Sequence, residues 1–167
     1  MKRMDTKYYK YFENGMKEHP KMEGVRWAVY SGENMTAMVL EADPARAKLR
    51  EKPFPNQPFT GGEPHFHKDF EQITLFLGCT PDTPEEVRGK HAYEPRNTAN
   101  EFAVLDTSTI MWLPRFTVHD IDLSEEQRLQ FMRDYYPDGY PEGIKFYFVD
   151  IFSPPREDYY EYWKNQK

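Results

Sequence analysis

The apolar positions of this chain fall in short runs, and long helical periods are few. The runs are "VRWAVYSG" from Val25, "TAMVLEAD" from Thr36, "QITLFLG" from Gln72, "EFAVLD" from Glu101, "STIMWLP" from Ser108 and "KFYFVDIF" from Lys145. Most are of strand length and carry the β-branched and aromatic residues that suit a pleated, half-buried surface. Between several of them lie stretches such as "EKPFPNQPFTGGEP" and "DYYPDGYPEGI", whose prolines and glycines force the chain to turn. Short strands with turns at this spacing predict an all-β sandwich or barrel. Helix is the minor component. In "SEEQRLQFMRDYY" Ser124 can cap a first turn in which Glu125 and Glu126 meet the positive end of the helix dipole. A second helical candidate is "MDTKYYKYFENGMKEH" near the N-terminus, and the terminal "EDYYEYWKNQK" fits a strand or helix over a sheet edge, or a tail facing a partner.

Length and composition narrow this picture. A chain of 167 residues fits one domain, enough to bury about 70% of its unfolded surface without staples. Cys79 is the only cysteine, so no internal disulfide can form. Acidic residues outnumber basic ones by 28 to 22 and no Lys/Arg cluster stands out, which argues against nucleic acid as a partner. No stretch reads as a signal peptide or as an apolar run long enough to cross a bilayer. The expectation is a cytoplasmic protein with no membrane partner.

Candidate chemistry concentrates in "PHFHKDFEQITLFLG", residues 64–78, which holds two of the five histidines. In an extended strand alternate side chains share a face, so His65 and His67 point together and Phe66 points away. A turn at Lys68 and Asp69 would bring Glu71 to the same place. His119, five residues after Pro114, offers one more ligand. Three imidazoles and a carboxylate are a common donor set for a transition metal. His19 and His91 sit in polar, loop-like contexts and read as structural or solvated.

His65, His67, Glu71 and Gly78 reproduce the spacing of the first signature of the cupins, His-x-His, three residues, Glu, six residues, Gly. The second signature, Pro-x-Gly-x-x-His, is matched by Pro114 and His119 with Phe116 in place of glycine. Leu123 stands where an asparagine is frequent, and Ser108 where a glycine is expected. The resemblance spans about residues 55–156. It implies a cupin-type antiparallel jelly-roll barrel with minor helical segments and a metal inside its mouth, held by His65, His67, Glu71 and His119. Gln72 is the alternative to Glu71, since some cupins place the ligand one residue later.

"VDIFSPPREDYYEYW" further resembles the closing segment of small cupins that act on unsaturated uronates from pectin and alginate breakdown. There an Asp, a Phe and an Arg line the pocket, which implies Asp150, Phe152 and Arg156 here. The plainer alternative for Arg156 is an ion pair with Glu157 or Asp158, and for Trp112, Tyr147 and Phe148 a place in the core or pocket wall. "FLGCTPDTPEEVRG" resembles a stretch of uncharacterised cupins and implies no activity. The interval between the signatures is longer than in the smallest cupins, and residues 1–24 have no counterpart in the signature region.

Such a centre suits an anionic small molecule, and the ligands do not choose among Fe, Mn, Ni, Cu and Zn. The first expectation is isomerase, lyase or hydrolase chemistry by Lewis acid, with Arg156 binding a substrate carboxylate and Asp150 moving a proton. The alternatives are an iron-dependent dioxygenase and a metal-dependent binding protein without turnover. A homodimer is expected, because exposed barrel edges need cover, with "VRWAVYSG" as the strand that would cross to the partner.

Overall fold

A computed structural model describes residues 15–58, 65–79, 91–93, 103–105, 110–119 and 125–167. The strands in chain order are β1 Lys17–Glu18, β2 Met22–Glu23, β3 Val25–Ser31, β4 Thr36–Ala42, β5 Lys48–Leu49, β6 Glu71–Cys79, β7 His91–Tyr93, β8 Ala103–Leu105, β9 Ile110–Leu113 and β10 Phe146–Ser153. Helix α1 is Glu125–Tyr135 and helix α2 is Glu157–Asn165. Six strands form one antiparallel sheet in the order β1-β3-β4-β10-β6-β9. The pairs β2-β5 and β7-β8 stand apart, and among the described residues the main sheet does not close on itself. The chain is therefore mostly antiparallel β with few helices. All six runs singled out by their apolar pattern contain strands.

Period-two alternation decides which face is the core. Val25, Trp27 and Val29 of β3, Met38 and Leu40 of β4, Phe76 of β6, Met111 and Leu113 of β9, and Phe146 and Phe152 of β10 are all buried. Phe131 of α1, with Tyr136 and Ile144 after it, and Tyr159 of α2 join the same cluster. Into this apolar face the chain inserts buried polar side chains, among them Gln72, Thr74 and Asp150 of β6 and β10. In the β6-β10 ladder Thr74 is the direct partner of Asp150, and Gln72 of Phe152. These polar groups are neighbours by register.

The C-terminal segment forms the helix α2, not a strand or a free tail, and packs on β3. Trp163 Nε1 donates to the Trp27 carbonyl at 3.2 Å, and Trp27 Nε1 donates to Gln166 Oε1 at 3.0 Å. Lys17 Nζ donates to the Trp163 carbonyl at 2.6 Å and to the carbonyls of Lys164 and Gln166, a cation placed at the negative end of the helix dipole.

Several expectations need correction. Of the N-terminal helical candidate, residues 4–14 lie outside the described residues, and Lys17–Glu18 are a strand paired with Arg26 and Trp27. Helical patterning there yields to the open edge of β3, whose hydrogen bonds those residues complete. Within its own chain "VRWAVYSG" lies in β3, which pairs with β1 at Arg26 and Trp27 and with β4 along its length. Trp112 is not core. β9 turns it outward, 59% exposed, while its neighbours Met111 and Leu113 point in. Ser124 lies outside the described residues. No helix among the described residues is long and apolar enough to cross a membrane.

Candidate metal centre

The centre is assembled by backbone pairing of two distant segments. His65 N–H donates to the His119 carbonyl at 3.0 Å and His119 N–H donates back to the His65 carbonyl at 2.8 Å. Phe116 N–H donates to the His67 carbonyl at 2.7 Å, which fixes the turn before His119 against the His-x-His segment. Phe66, between the histidines, is 52% exposed and faces away from them, as strand alternation requires. The turn from Pro114 closes with Thr117 N–H donating to the Pro114 carbonyl at 3.1 Å. Phe116, where the signature has glycine, takes the left-handed φ of +66° that glycine normally supplies.

The three imidazoles meet as a result. Ring centroids are 4.3 Å apart for His65 and His119, 4.8 Å for His67 and His119, and 4.9 Å for His65 and His67. One ring nitrogen from each lies within 4.8 Å of the others. His119 is 1% exposed, His67 is buried and His65 half-buried. His119 Nδ1 lies 2.9 Å from the Thr117 carbonyl, an oxygen that can only accept, so the proton sits on Nδ1 and Nε2 keeps its lone pair. Burial, then the neighbouring His119 and His65, push the pKa of His67 down to about 3, so its ring is neutral near pH 7. Imidazoles with free lone pairs fit a divalent transition metal. These three side chains are the ones that would hold such an ion, and it would supply Lewis acidity there.

Glu71 is not brought to this cluster. It is exposed on the outer face of β6, where Trp112 Nε1 donates to its Oε2 at 3.2 Å. The expected carboxylate is displaced by strand period. Residues 72, 74 and 76 face inward, so residue 71 must face out. The inward neighbour is Gln72, buried, with Oε1 3.0 Å from His67 Nε2. Gln72 Nε2 donates to Thr74 Oγ1 at 3.1 Å, and Thr74 Oγ1 donates to Asp150 Oδ1.

Asp150 and Phe152 are both buried on one face of β10, as their spacing implies. Burial pushes the pKa of Asp150 up to about 6, with hydrogen bonds from Thr74 and Gln72 opposing the shift. Phe152 meets the edge of His67 at 6.1 Å.

Arg156 is already engaged. Its Nε donates to Asp158 Oδ1 at 2.7 Å, its Nη2 donates to Asp158 Oδ2 and, at 3.3 Å, to the Pro58 carbonyl. The guanidinium lies 3.7 Å from the Tyr159 ring centroid and 4.5 Å from that of Phe70. The fork expected to take a substrate carboxylate is held by Asp158, as in the plainer alternative, and its plane braces Phe70 from behind.

Sequence reasoning passed over Phe70, Thr74 and Tyr159. Phe70 stacks on His67 at 4.2 Å and meets Phe152 at 5.4 Å, and Phe152 in turn meets Tyr159 at 5.5 Å. Phe70 stands next to Glu71 in the sequence and Thr74 shares the inward period of Gln72, so both were within reach of pattern alone. Tyr159 depended on where α2 packs. His19 lies outside the centre. It is buried, accepts from the N–H groups of Lys21 and Met22 at 3.2 and 3.0 Å, and packs edge-on to Trp27 at 5.4 Å, a structural role. The backbone of His91 lies in β7.

No family model matches the chain, and no curated protein matches it.

Proposed function

We propose that this chain is a metal-dependent enzyme of the cupin type, a jelly-roll barrel that acts on a small anionic organic molecule by isomerase, lyase or hydrolase chemistry. The observation that carries the reading is the convergence of His65, His67 and His119, with the His119 proton tied to a backbone carbonyl, next to a buried carboxyl group poised near neutral pH. An ion held there supplies Lewis acidity toward a carbonyl, enolate or water oxygen. The chain's own residues do the rest. Phe70 and Phe152 flank His67, and Arg156, held by Asp158, lies over the ring of Phe70. Asp150, ionised only in part at its raised pKa, is the group that takes up or returns a proton.

Metal analysis of untagged protein followed by a screen of small carboxylic and sugar acids tests this. Stoichiometric transition metal and a metal-dependent conversion without oxygen uptake support it. Protein that takes up no metal overturns it. A second reading, an iron-dependent dioxygenase, is favoured by the aromatic wall of Phe70, Phe152 and Tyr159 beside His67. Oxygen consumption with substrate would decide for it, and ligand-induced stabilisation without any product would decide for a binding protein.

A further inference from the structure

Antiparallel strands with one face in water alternate apolar and polar residues, and three strands of the main sheet break that rule. β9 reads Ile-Met-Trp-Leu, the middle of β6 reads Ile-Thr-Leu-Phe-Leu, and β10 reads Phe-Tyr-Phe-Val before Asp150. Such runs suit a sheet covered on both faces. The inner face is the core, to which these strands contribute Phe76, Met111 and Leu113. On the outer face the register aligns two apolar rows across the strands, Trp112 with Ile73 and Ile151 in one, Ile110 with Leu75 and Val149 in the next. Ile110 is 67% exposed, Trp112 59%, Leu77 51% and Ile73 36%. With a large apolar residue presenting on the order of 200 Å² when fully open, these four leave about 400 Å² of contiguous apolar surface. A standard interface takes about 800 Å² from each partner and is somewhat over half apolar, a need of about 450 Å². The open area meets nearly all of it.

Charge narrows the choice of partner. The two rows hold no charged side chain, and the charges beyond their ends are engaged locally, Arg26 with Glu41 at 3.4 Å and Glu71 with Trp112 Nε1 at 3.2 Å. The chain as a whole carries a net charge of -6. Two such acidic chains repel each other over most of their surface and least across this neutral face, where the face meets its own image without setting like charges together. We propose that a second copy of this chain packs here, outer face on outer face, in a two-fold dimer that buries Ile73, Leu77, Ile110 and Trp112 of both copies. The pairing runs through a sheet face, where the sequence pointed to open edges and to β3. These side chains point away from Gln72 and Thr74, so the inference does not depend on the metal-centre reading.

Sedimentation velocity of the full chain from low to high micromolar concentration measures the association. Ile110→Glu and Trp112→Glu are each expected to weaken the dimer at least about 100-fold, because each sets a charge in a desolvated contact against its own image. Leu129→Glu, at an exposed apolar position of α1, should leave the dimer unchanged. Tryptophan emission of the wild type should move to shorter wavelength as the copies associate, and that shift should vanish in Trp112→Phe. A wild type that stays monomeric at high micromolar concentration, a dimer that survives both glutamate variants, or one that Leu129→Glu opens as readily would overturn the proposal. Where a glutamate variant fails to fold, Trp112→Phe decides, since it adds no charge. An emission shift that persists without the Trp112 indole places the contact elsewhere and overturns the proposal as well.

Discussion

Thr74 and Asp150 face each other directly across the ladder between β6 and β10, and the threonine hydroxyl donates to Oδ1 of the aspartate. Both are buried, so the bond forms where water cannot replace it. Thr74→Val keeps the shape and removes the donor. It should destabilise the metal-free protein by about 1–3 kcal/mol in urea unfolding. The same substitution in an Asp150→Asn background should cost less, since the charge that needed the donor is gone. Equal costs in both backgrounds would mean that the hydroxyl and the carboxyl are not coupled.

Metal removal should be felt in the fold. With free metal at a hundredfold excess over its dissociation constant, an ion that binds only the native state adds about 2.7 kcal/mol. A chelator should therefore lower the thermal midpoint of wild-type protein. His67→Ala should lose most of its metal and show little further shift with chelator, because it removes one of three imidazoles around one point. Full metal occupancy in His67→Ala would sink the ligand assignment.

Phe116 is 67% exposed and held at a φ of +66°. Left-handed backbone is costly for a residue with a Cβ, and the ring's visible company is Phe66, with centroids 6.0 Å apart. Phe116→Gly should relieve the strain and raise stability by up to about 1 kcal/mol, with metal binding kept. A loss of stability would show that stacking on Phe66 outweighs backbone strain.

The same position shows how far the sequence could be read. Spacing alone paired His119 with the His-x-His segment although the glycine of the turn was missing, because the turn needs a backbone angle that Phe116 adopts under strain. Strand alternation likewise placed Asp150 beside Phe152. Glu71 failed for the reason the others succeeded. Spacing matched a signature, but the pleat of β6 runs in register with Gln72, and a slip of one residue reverses every side chain. For Arg156 the sequence left two readings, a substrate fork or an ion pair with Glu157 or Asp158, and only the fold, which lays the guanidinium over Phe70 and Tyr159 with Asp158 on its fork, decides between them. Lys17 was out of reach for a similar cause. Its strand exists because β3 offers an edge and α2 offers carbonyls, and neither is local in sequence.

His19 gives the fold a dependence on pH. Burial, with smaller contributions from Arg50 and Lys21, pushes its pKa down to about 3 from an ordinary 6.5. The unfolded chain then binds a proton between those values that the folded chain refuses, so this contribution is complete above about pH 6.5 and is lost as pH falls toward 3. From pH 7 to pH 5 the loss is about 2 kcal/mol. Asp150, shifted upward, acts against it, gaining stability as pH falls through about 6, whereas His67, also pushed down to about 3, adds a loss of the same sign as that of His19. Comparison with His19→Asn isolates the histidine. Asparagine can still accept from the N–H groups of Lys21 and Met22 but does not titrate. It should cost stability at pH 7, where the packing against Trp27 is lost, and close much of that gap at pH 5. Urea midpoints at the two pH values measure it, and a gap that stays constant would show that His19 is not the group refusing the proton.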